Sequence, residues 1–291
     1  MIPGLRFCFL AVPVLWVAAA HIGPLLAMAS ISFLDVYPGS PDATPGFGLA
    51  AYTIFLHQAG YRASLLRSLG LAAAATLVSL LLSYPLAYHV ALRVAAKRRR
   101  FGLLLLVTPF WTSEVLRMFA LVLLMANRGA LNGLLRWTGL TSGPIPLLYN
   151  NGTVLAGMVY TVLLSMLLPL YAALDRLPPD LLDVASSLGA GPWRRFWRVT
   201  LPLTARGMAV GSVLTFLACM GIFAAPALLG GPSTPVFATT IADLFGAASG
   251  RWPIGAAFGF ILLMVATACA AGLAVLPGLI ASRRGQPAWS S

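Results

Sequence analysis

Six long apolar runs constrain the fold of this 291-residue chain more than any other feature of its sequence. Each is about as long as the roughly 20 residues that a helix needs to cross the hydrocarbon core of a bilayer. They lie at roughly residues 8–33, 66–92, 102–126, 152–174, 207–229 and 254–281. Because the connections leave no room for a large soluble domain, the sequence predicts an all-α membrane protein. Residues 1–291 are expected to form a single transmembrane domain of six helices.

The basic residues indicate how these helices are oriented. If the N-terminus is cytoplasmic, 13 of the 19 lysines and arginines fall on the cytoplasmic side, five fall on the opposite side, and Arg117 lies inside the third run. Cytoplasmic loops of membrane proteins carry an excess of positive charge, so both termini are predicted to be cytoplasmic. The first run has a basic start and an "AMA" at residues 27–29 that is similar to a signal-peptidase site. Its length favours a retained helix.

Composition argues against two kinds of binding site. The net charge of +12 is distributed over short loops, whereas nucleic-acid binding requires a solvated basic face with interleaved aromatic residues. The three histidines lie on different segments, and the three cysteines lie inside apolar runs without the spacing of a zinc site. Neither a nucleic-acid partner nor a metal site is therefore predicted.

A polar segment between the fourth and fifth runs, residues 175–206, is long for a connection between spans and carries a pattern typical of folded structure. Its first half begins with two prolines suited to a first helical turn and stops at Gly189. Between them, apolar residues recur at helical spacing: Leu181, Ala185 and Leu188. The pattern predicts a short amphipathic helix that ends at a glycine.

The second half of this segment predicts another short helix. Pro192 suits its first turn, and Pro202 is expected to interrupt it before the fifth run begins. Three aromatic residues share one face, while the arginines point elsewhere: Trp193, Phe196 and Trp197. Composition alone leaves two interpretations open, a hairpin that rests on anionic lipid or a structure with another role.

The spacing of the segment distinguishes these interpretations. "DVASSLG", nine further residues and then "VTLP" resemble the cytoplasmic signature of permeases from ATP-binding-cassette (ABC) importers, E-A-A, three residues, G, nine residues and I-x-L-P. The resemblance implies a type I ABC importer permease fold, in which this loop is a coupling helix that docks on a separate ATPase subunit. It assigns that role to six residues: Asp183, Val184, Ala185, Leu188, Gly189 and Pro202. Asp183 and Val184 depart modestly from the Glu and Ala of the signature.

Two further motifs resemble the spermidine/putrescine branch of that family. One, within "TPFWTSEVLRMFALVLLMANRGALNGLL", matches at Pro109, Phe110, Trp111, Thr112, Ser113, Arg117, Phe119, Gly129 and Asn132. The other, "GIFAAPALLGG", matches at Gly221, Phe223, Pro226, Leu228, Leu229, Gly230 and Gly231. The resemblance implies import of a polyamine by alternating access. Ile222 stands where that branch often has an acid, so an amino-acid derivative, another amine or an iron chelate stays open as the solute.

Charged and aromatic residues in the third run are the main candidates for a substrate pathway. Glu114 and Arg117 are three residues apart and are expected to share a helix face as an ion pair, which either lines the pathway or locks the helix to a neighbour. Trp111 and Thr112 precede Glu114, and an aromatic ring beside a carboxylate is suited to hold an ammonium group. Phe223 and Asp243 complete the set. Asp243 is expected near the outer mouth, with a solvated helix end as the alternative.

The chain lacks the glycine-rich phosphate-binding loop of ATPases, because no such loop precedes its single lysine, Lys97. No catalytic site is predicted, and the resemblance implies that a dimer of partner ATPase subunits holds ATP and Mg²⁺. A second permease subunit, a soluble substrate-binding protein, membrane lipid and a bacterial inner-membrane location are implied as well. A secondary transporter or an intramembrane enzyme would need clustered ion-coordinating or catalytic groups, which the spans do not offer.

Overall fold

The computed structural model describes residues 3–37, 46–231, 235–246 and 251–282. Within them, β-structure is limited to one isolated bridge between Leu34 and Phe47, and the remaining regular structure is helical. The α-helices there are α1 (Pro3–Ser32), α2 (Ala50–His57), α3 (Ala59–Tyr88), α4 (Ala96–Val107), α5 (Glu114–Met125), α6 (Ala130–Trp137), α7 (Asn151–Asp175), α8 (Pro179–Ser187), α9 (Pro192–Arg195), α10 (Leu201–Gly221), α11 (Ala224–Leu229), α12 (Phe237–Gly246) and α13 (Trp252–Ser282).

Six helical stretches in this part of the chain are long and apolar enough to cross a membrane, which confirms the predicted all-α membrane fold with six spans. They are Val12–Ser32, Ala59–Arg93, Glu114–Trp137, Asn151–Asp175, Pro192–Gly221 and Trp252–Val275. The first, second, fourth and sixth stretches agree with the predicted runs to within several residues. The third and fifth stretches differ from prediction, and proline explains both differences.

The third predicted span, residues 102–126, is not a continuous helix. A 3₁₀ turn over Thr108–Trp111 follows α4, and the backbone is extended at Ser113, with ψ of 135°, before α5 begins. Pro109 has no N–H with which to continue the hydrogen-bond ladder of α4. The prediction of one helix here was therefore wrong. The membrane-length stretch in this region is Glu114–Trp137, in which a turn at residues 126–129 joins α5 to α6.

The fifth predicted span, residues 207–229, is also broken. α10 ends at Gly221, and Ile222 has an extended backbone with ψ of 125° before α11 begins. Pro226 lies four residues after Ile222, and a proline ring clashes with the carbonyl at that position when a helix continues. Ile222 leaves the helical conformation and the clash is avoided.

Pro202 does not interrupt the helix, contrary to expectation. A π-helical turn over Phe196–Thr200 joins α9 to α10, so that Pro192–Gly221 runs as one stretch. The N–H of Leu201 donates to the carbonyl of Phe196, five residues back. The wider turn accommodates a residue that lacks an N–H of its own. The second arm of the polar segment is thus the beginning of the fifth span.

The chain divides into two compact units, residues 1–66 with 239–264 and residues 67–238 with 265–291. The first unit packs around Phe258, which is fully buried and meets the rings of Phe55 and Tyr61 edge to face. Such aromatic pairs stabilise beyond the area that they bury. The organisation of residues 1–291 as a single domain stays a prediction.

The second unit is built on close contact between α7 and α10. Gly207 and Gly211 lie one turn apart on α10 and face α7, where a Cβ on Gly211 would lie 3.2 Å from the carbonyl oxygen of Met166. A Cβ on Gly207 would meet the Cβ of Ala173. Small residues spaced in this way let two membrane helices approach closely. On α7, Gly157 has the same function toward α5 and α11.

Candidate docking loop and intramembrane site

The helix α8 presents an apolar edge that the described part of this chain leaves uncovered. Val184 is 56% exposed and Leu188 is 82% exposed, and Leu181 is exposed beside them. Asp183 is exposed as well, whereas Ala185 is half-buried. An amphipathic helix with a bare apolar edge is suited to lie in a groove of another protein.

Gly189 ends α8 in a Schellman motif. Its φ is +76°, its N–H donates to the carbonyl of Ser186 at 2.9 Å, and the N–H of Ala190 donates to the carbonyl of Ala185 at 3.0 Å. Glycine is the residue that adopts this left-handed conformation without a steric penalty. The glycine of the predicted signature is therefore a helix terminator, which turns the chain back toward α9.

Two contacts hold the arms of the loop together and fix them to the membrane helices. Arg195 Nη1 donates to Ser186 Oγ at 2.5 Å across the turn. Phe196 packs edge to face on Tyr84 of α3, with ring centroids 5.4 Å apart. Trp193 and Trp197 contact Phe196 but stay exposed. Of the three aromatic residues, Phe196 is the one that joins the buried core of this unit.

An ion pair outside the predicted set reinforces the same region. Arg99 Nη1 lies 2.8 Å from Asp175 Oδ1, and Arg99 Nε donates to the carbonyl of Val94 at 2.9 Å. The pair joins the start of α4 to the end of α7, where the polar segment 175–206 begins. We refer to this segment as the docking loop. Both side chains are partly exposed, so the pair contributes about 0.2–1 kcal/mol and acts mainly by fixing geometry.

The break between α4 and α5 carries the aromatic and acidic pathway candidates. Trp111 is 82% exposed, Thr112 is exposed, and Glu114 is half-buried in the first turn of α5. A carboxylate in a first turn is stabilised by the positive end of the helix dipole. Non-helical backbone at membrane depth is tolerated where it is buried in protein or lines a water-filled cavity.

Arg117 does not form the expected ion pair with Glu114. Its guanidinium carbon lies 5.3 Å from the ring centroid of Phe110 and 5.4 Å from that of Tyr160, within the range of cation–π interactions. Arg117 Nε and Nη1 are buried without a hydrogen-bond partner.

The remaining candidates lie in separate places. Phe223 stands half-exposed at the break between α10 and α11, whereas Asp243 is exposed on α12 in the other compact unit. Pro202 lies inside the fifth span, apart from the helix that carries Asp183 and Gly189.

Sequence reasoning missed three residues that shape these sites. Tyr160 lies in an ordinary apolar run, and no signal in the sequence links it to Arg117. Asn132 was matched as a motif residue without a role. It is fully buried, and its Oδ1 accepts from Ile145 N at 2.9 Å while its Nδ2 donates to the carbonyls of Ala126 and Ile145. Arg99 is one of the 13 basic residues assigned to the cytoplasmic side, and its ion pair with Asp175 was not predicted.

Comparison with known proteins gives consistent matches over most of the chain. The family described as "Binding-protein-dependent transport system inner membrane component" matches residues 83–281. The spermidine/putrescine transport system permease protein PotB of Escherichia coli is 36% identical over 219 residues, covering 75% of this chain and 78% of that protein. PotB of Haemophilus influenzae is 34% identical over 251 residues, 86% of each chain.

A solved structure matches the fold. It is that of a bacterial ABC transporter involved in the import of the acidic polysaccharide alginate, with a TM-score of 0.78 and 20% sequence identity. The match covers 95% of this chain and 96% of that one. At this identity the likeness establishes the fold and not the solute.

Proposed function

The chain belongs to the family of binding-protein-dependent transport system inner membrane components, and we propose that it moves a polyamine such as spermidine or putrescine into the cytoplasm. It is a permease subunit of an ABC importer. The polyamine assignment is supported by the PotB relatives, which are at least 34% identical over 75% or more of the chain. Transport proceeds by alternating access, in which ATP-driven closure of partner subunits shifts the permease between two states.

The exposed apolar edge of α8 is the observation that supports coupling of the permease to a separate ATPase subunit. Val184 and Leu188 are exposed on a helix that ends in a glycine turn, and Arg195 and Phe196 fix that helix to the membrane helices. A rigid, short helix with an apolar edge transmits movement of a docked ATPase subunit to the spans. ATP and Mg²⁺ belong to that dimeric partner, and a second permease subunit and a soluble substrate-binding protein complete the importer.

Transport of a different small solute is the second candidate function, and Ile222 is the residue that favours it. Ile222 occupies a position where the polyamine branch often has an acid, and its side chain is buried and apolar. A polycation is stabilised by carboxylates along its path, so the absence of this one favours a solute with fewer positive charges. Amino-acid derivatives, other amines and iron chelates fit that description.

Copurification tests the coupling proposal. The tagged permease is purified in mild detergent with its ATPase subunit, and V184D is compared with S142D, which adds the same charge to an exposed position in the loop between α6 and α7. V184D is expected to lose the ATPase subunit because an aspartate on the apolar edge would be desolvated on docking. Full retention of the ATPase by V184D would contradict docking through α8.

Transport measurements test the solute. Proteoliposomes that contain the complete importer are assayed with its soluble binding protein for uptake of labelled spermidine and putrescine. Competition by unlabelled amines, amino-acid derivatives and iron chelates separates the two candidates. ATP-dependent polyamine uptake supports the proposal, whereas uptake of another solute without polyamine competition would overturn it.

A further inference from the structure

Two aromatic rings of the second compact unit contact the same cation. Phe110 lies in the turn after α4, and Tyr160 lies on α7; their ring centroids are 6.2 Å apart, and the guanidinium carbon of Arg117 lies within 5.4 Å of both. A cation within about 6 Å of a ring centroid is attracted by the ring quadrupole. We refer to Phe110 and Tyr160 as the aromatic pair.

The aromatic pair lies deep in the span. Tyr160 is nine residues from Asn151 and 15 residues from Asp175, the ends of α7, which is about 14 Å and about 22 Å along the helix axis. A charged side chain at such depth is costly and is expected to face the protein interior or a water-filled cavity. The position of Arg117 therefore requires either a partner or a function.

Two nitrogens of the Arg117 guanidinium lack the hydrogen bonds that would stabilise them at this buried position. Nε and Nη1 are shielded from solvent and make no hydrogen bond, and a buried donor without an acceptor lowers stability. An acceptor is nearby in the chain, since Glu114 precedes Arg117 by three residues on α5 and side chains so spaced can pair. The structure holds the guanidinium against the rings instead.

We propose that Phe110 and Tyr160 bind an ammonium group of the substrate, and that Arg117 fills this site only while substrate is absent. The inference rests on the proposed polyamine function. A ring quadrupole attracts a primary ammonium as it attracts a guanidinium, and the two cations cannot occupy the same space. The entering ammonium displaces Arg117, and the released guanidinium pairs with Glu114 one turn away.

This exchange conserves the cation–π contacts and gives Arg117 the acceptor that it lacks. It also neutralises the displaced charge, which would otherwise repel the entering ammonium. While Arg117 occupies the aromatic pair, the importer has a low affinity for substrate. A site that is free for only a fraction of the time binds its ligand more weakly by that fraction. Removal of the guanidinium frees the site.

The test measures KM for spermidine uptake in proteoliposomes that contain the complete importer. R117Q removes the competing cation, and KM is expected to fall by roughly threefold to thirtyfold, the range set by one or two cation–π contacts. R117K retains a cation and is expected to stay within about threefold of wild type. Y160L removes a ring and is expected to raise KM, whereas Y160F retains the ring and recovers most of the affinity.

Each outcome decides the inference. An unchanged or raised KM in R117Q overturns it, because a structural lock or a carboxylate receptor predicts no gain in affinity. Should R117Q fail to assemble, equal KM values for Y160L and Y160F overturn it. If the wild-type importer carries no polyamine, the proposed function fails and the site assignment fails with it. If polyamine uptake is intact and R117Q gains nothing, the site assignment alone is wrong.

Discussion

At the scale of single residues, Gly189 and Gly191 of the docking loop differ in the backbone angle φ. Gly189 has a φ of +76°, whereas Gly191 has a φ of −60°, and a Cβ at either position would meet no atom within 4 Å. Both positions therefore have room for a side chain, but their backbone conformations differ. The glycine of the signature is required for its left-handed φ rather than for a close approach of backbone to partner within this chain.

The pair G189V and G191V isolates that requirement. G189V forces a β-branched residue into the left-handed region, which costs about 2 kcal/mol, so the end of α8 is expected to rearrange and substrate-stimulated ATPase activity to fall several-fold. G191V keeps a φ that valine adopts readily and is expected to retain most of the activity. Equal activity in the two variants would show that the Schellman motif is irrelevant to coupling.

Asn132 provides a second residue-scale prediction, this time about stability. N132A removes three hydrogen bonds to main-chain groups of Ala126, which precedes α6, and Ile145, which follows it, and it leaves the N–H of Ile145 without its partner. The expected loss is about 2–4 kcal/mol, since each buried unsatisfied group costs about 1–3 kcal/mol. N151A, at an exposed asparagine in the first turn of α7, is the matched control. Thermal denaturation in detergent measures both, and equal midpoints would contradict the assignment.

At the scale of elements, prolines account for where the spans break and where they continue. A helix ends a few residues before Pro109 and another ends a few residues before Pro226. At Pro202 the helix continues, because the turn before it is π-helical. The steric rule is the same in all three cases. The difference is whether the backbone before the proline forms a π-helical turn or adopts an extended conformation.

Six apolar runs of sufficient length were enough to predict the number of spans, because length and hydropathy are local properties. The break at Ile222 is encoded locally as well, because Ile222 lies four residues before Pro226, and the break after α4 follows from Pro109, which lacks an N–H. The helix α8 was predictable because its prolines, its apolar spacing and its terminal glycine all lie within residues 178–189, whereas its docking stays a prediction. The site around Arg117 was not, since Phe110, Arg117 and Tyr160 come from three elements and nothing in the sequence pairs them.

The contact between α7 and α10 gives an element-scale prediction. G207A places a Cβ against the Cβ of Ala173 and 3.1 Å from the carbonyl oxygen of Pro169, neither of which can move without shifting a helix. The overpacking is expected to cost about 1–3 kcal/mol. G70A, on α3 at a glycine with no atom within 4 Å, is expected to be neutral or stabilising. A thermal midpoint for G207A equal to that of G70A would contradict close packing.

At the scale of the whole molecule, the chain presents apolar surface on several helices that its own described residues do not cover, and α1 and α8 are two examples. Val12, Leu15 and Trp16 of α1 are exposed, as are Val184 and Leu188 of α8. The first set lies in a membrane-length helix, for which lipid or a second permease is the expected surrounding. The second lies in a polar loop, for which a protein partner is the surrounding that we propose. One chain is thus expected to be one part of a larger assembly.

The orientation of that assembly follows from charge and is testable by labelling. The 13 to five division of basic residues predicts that the docking loop is cytoplasmic and that the loop between α6 and α7 faces outward. In a background with the native cysteines replaced by alanine, S142C is expected to react with a membrane-impermeant maleimide in intact cells. S187C, equally exposed on α8, is expected to react only after permeabilisation. Labelling of S187C in intact cells, with S142C protected, would reverse the orientation and separate α8 from any cytoplasmic ATPase.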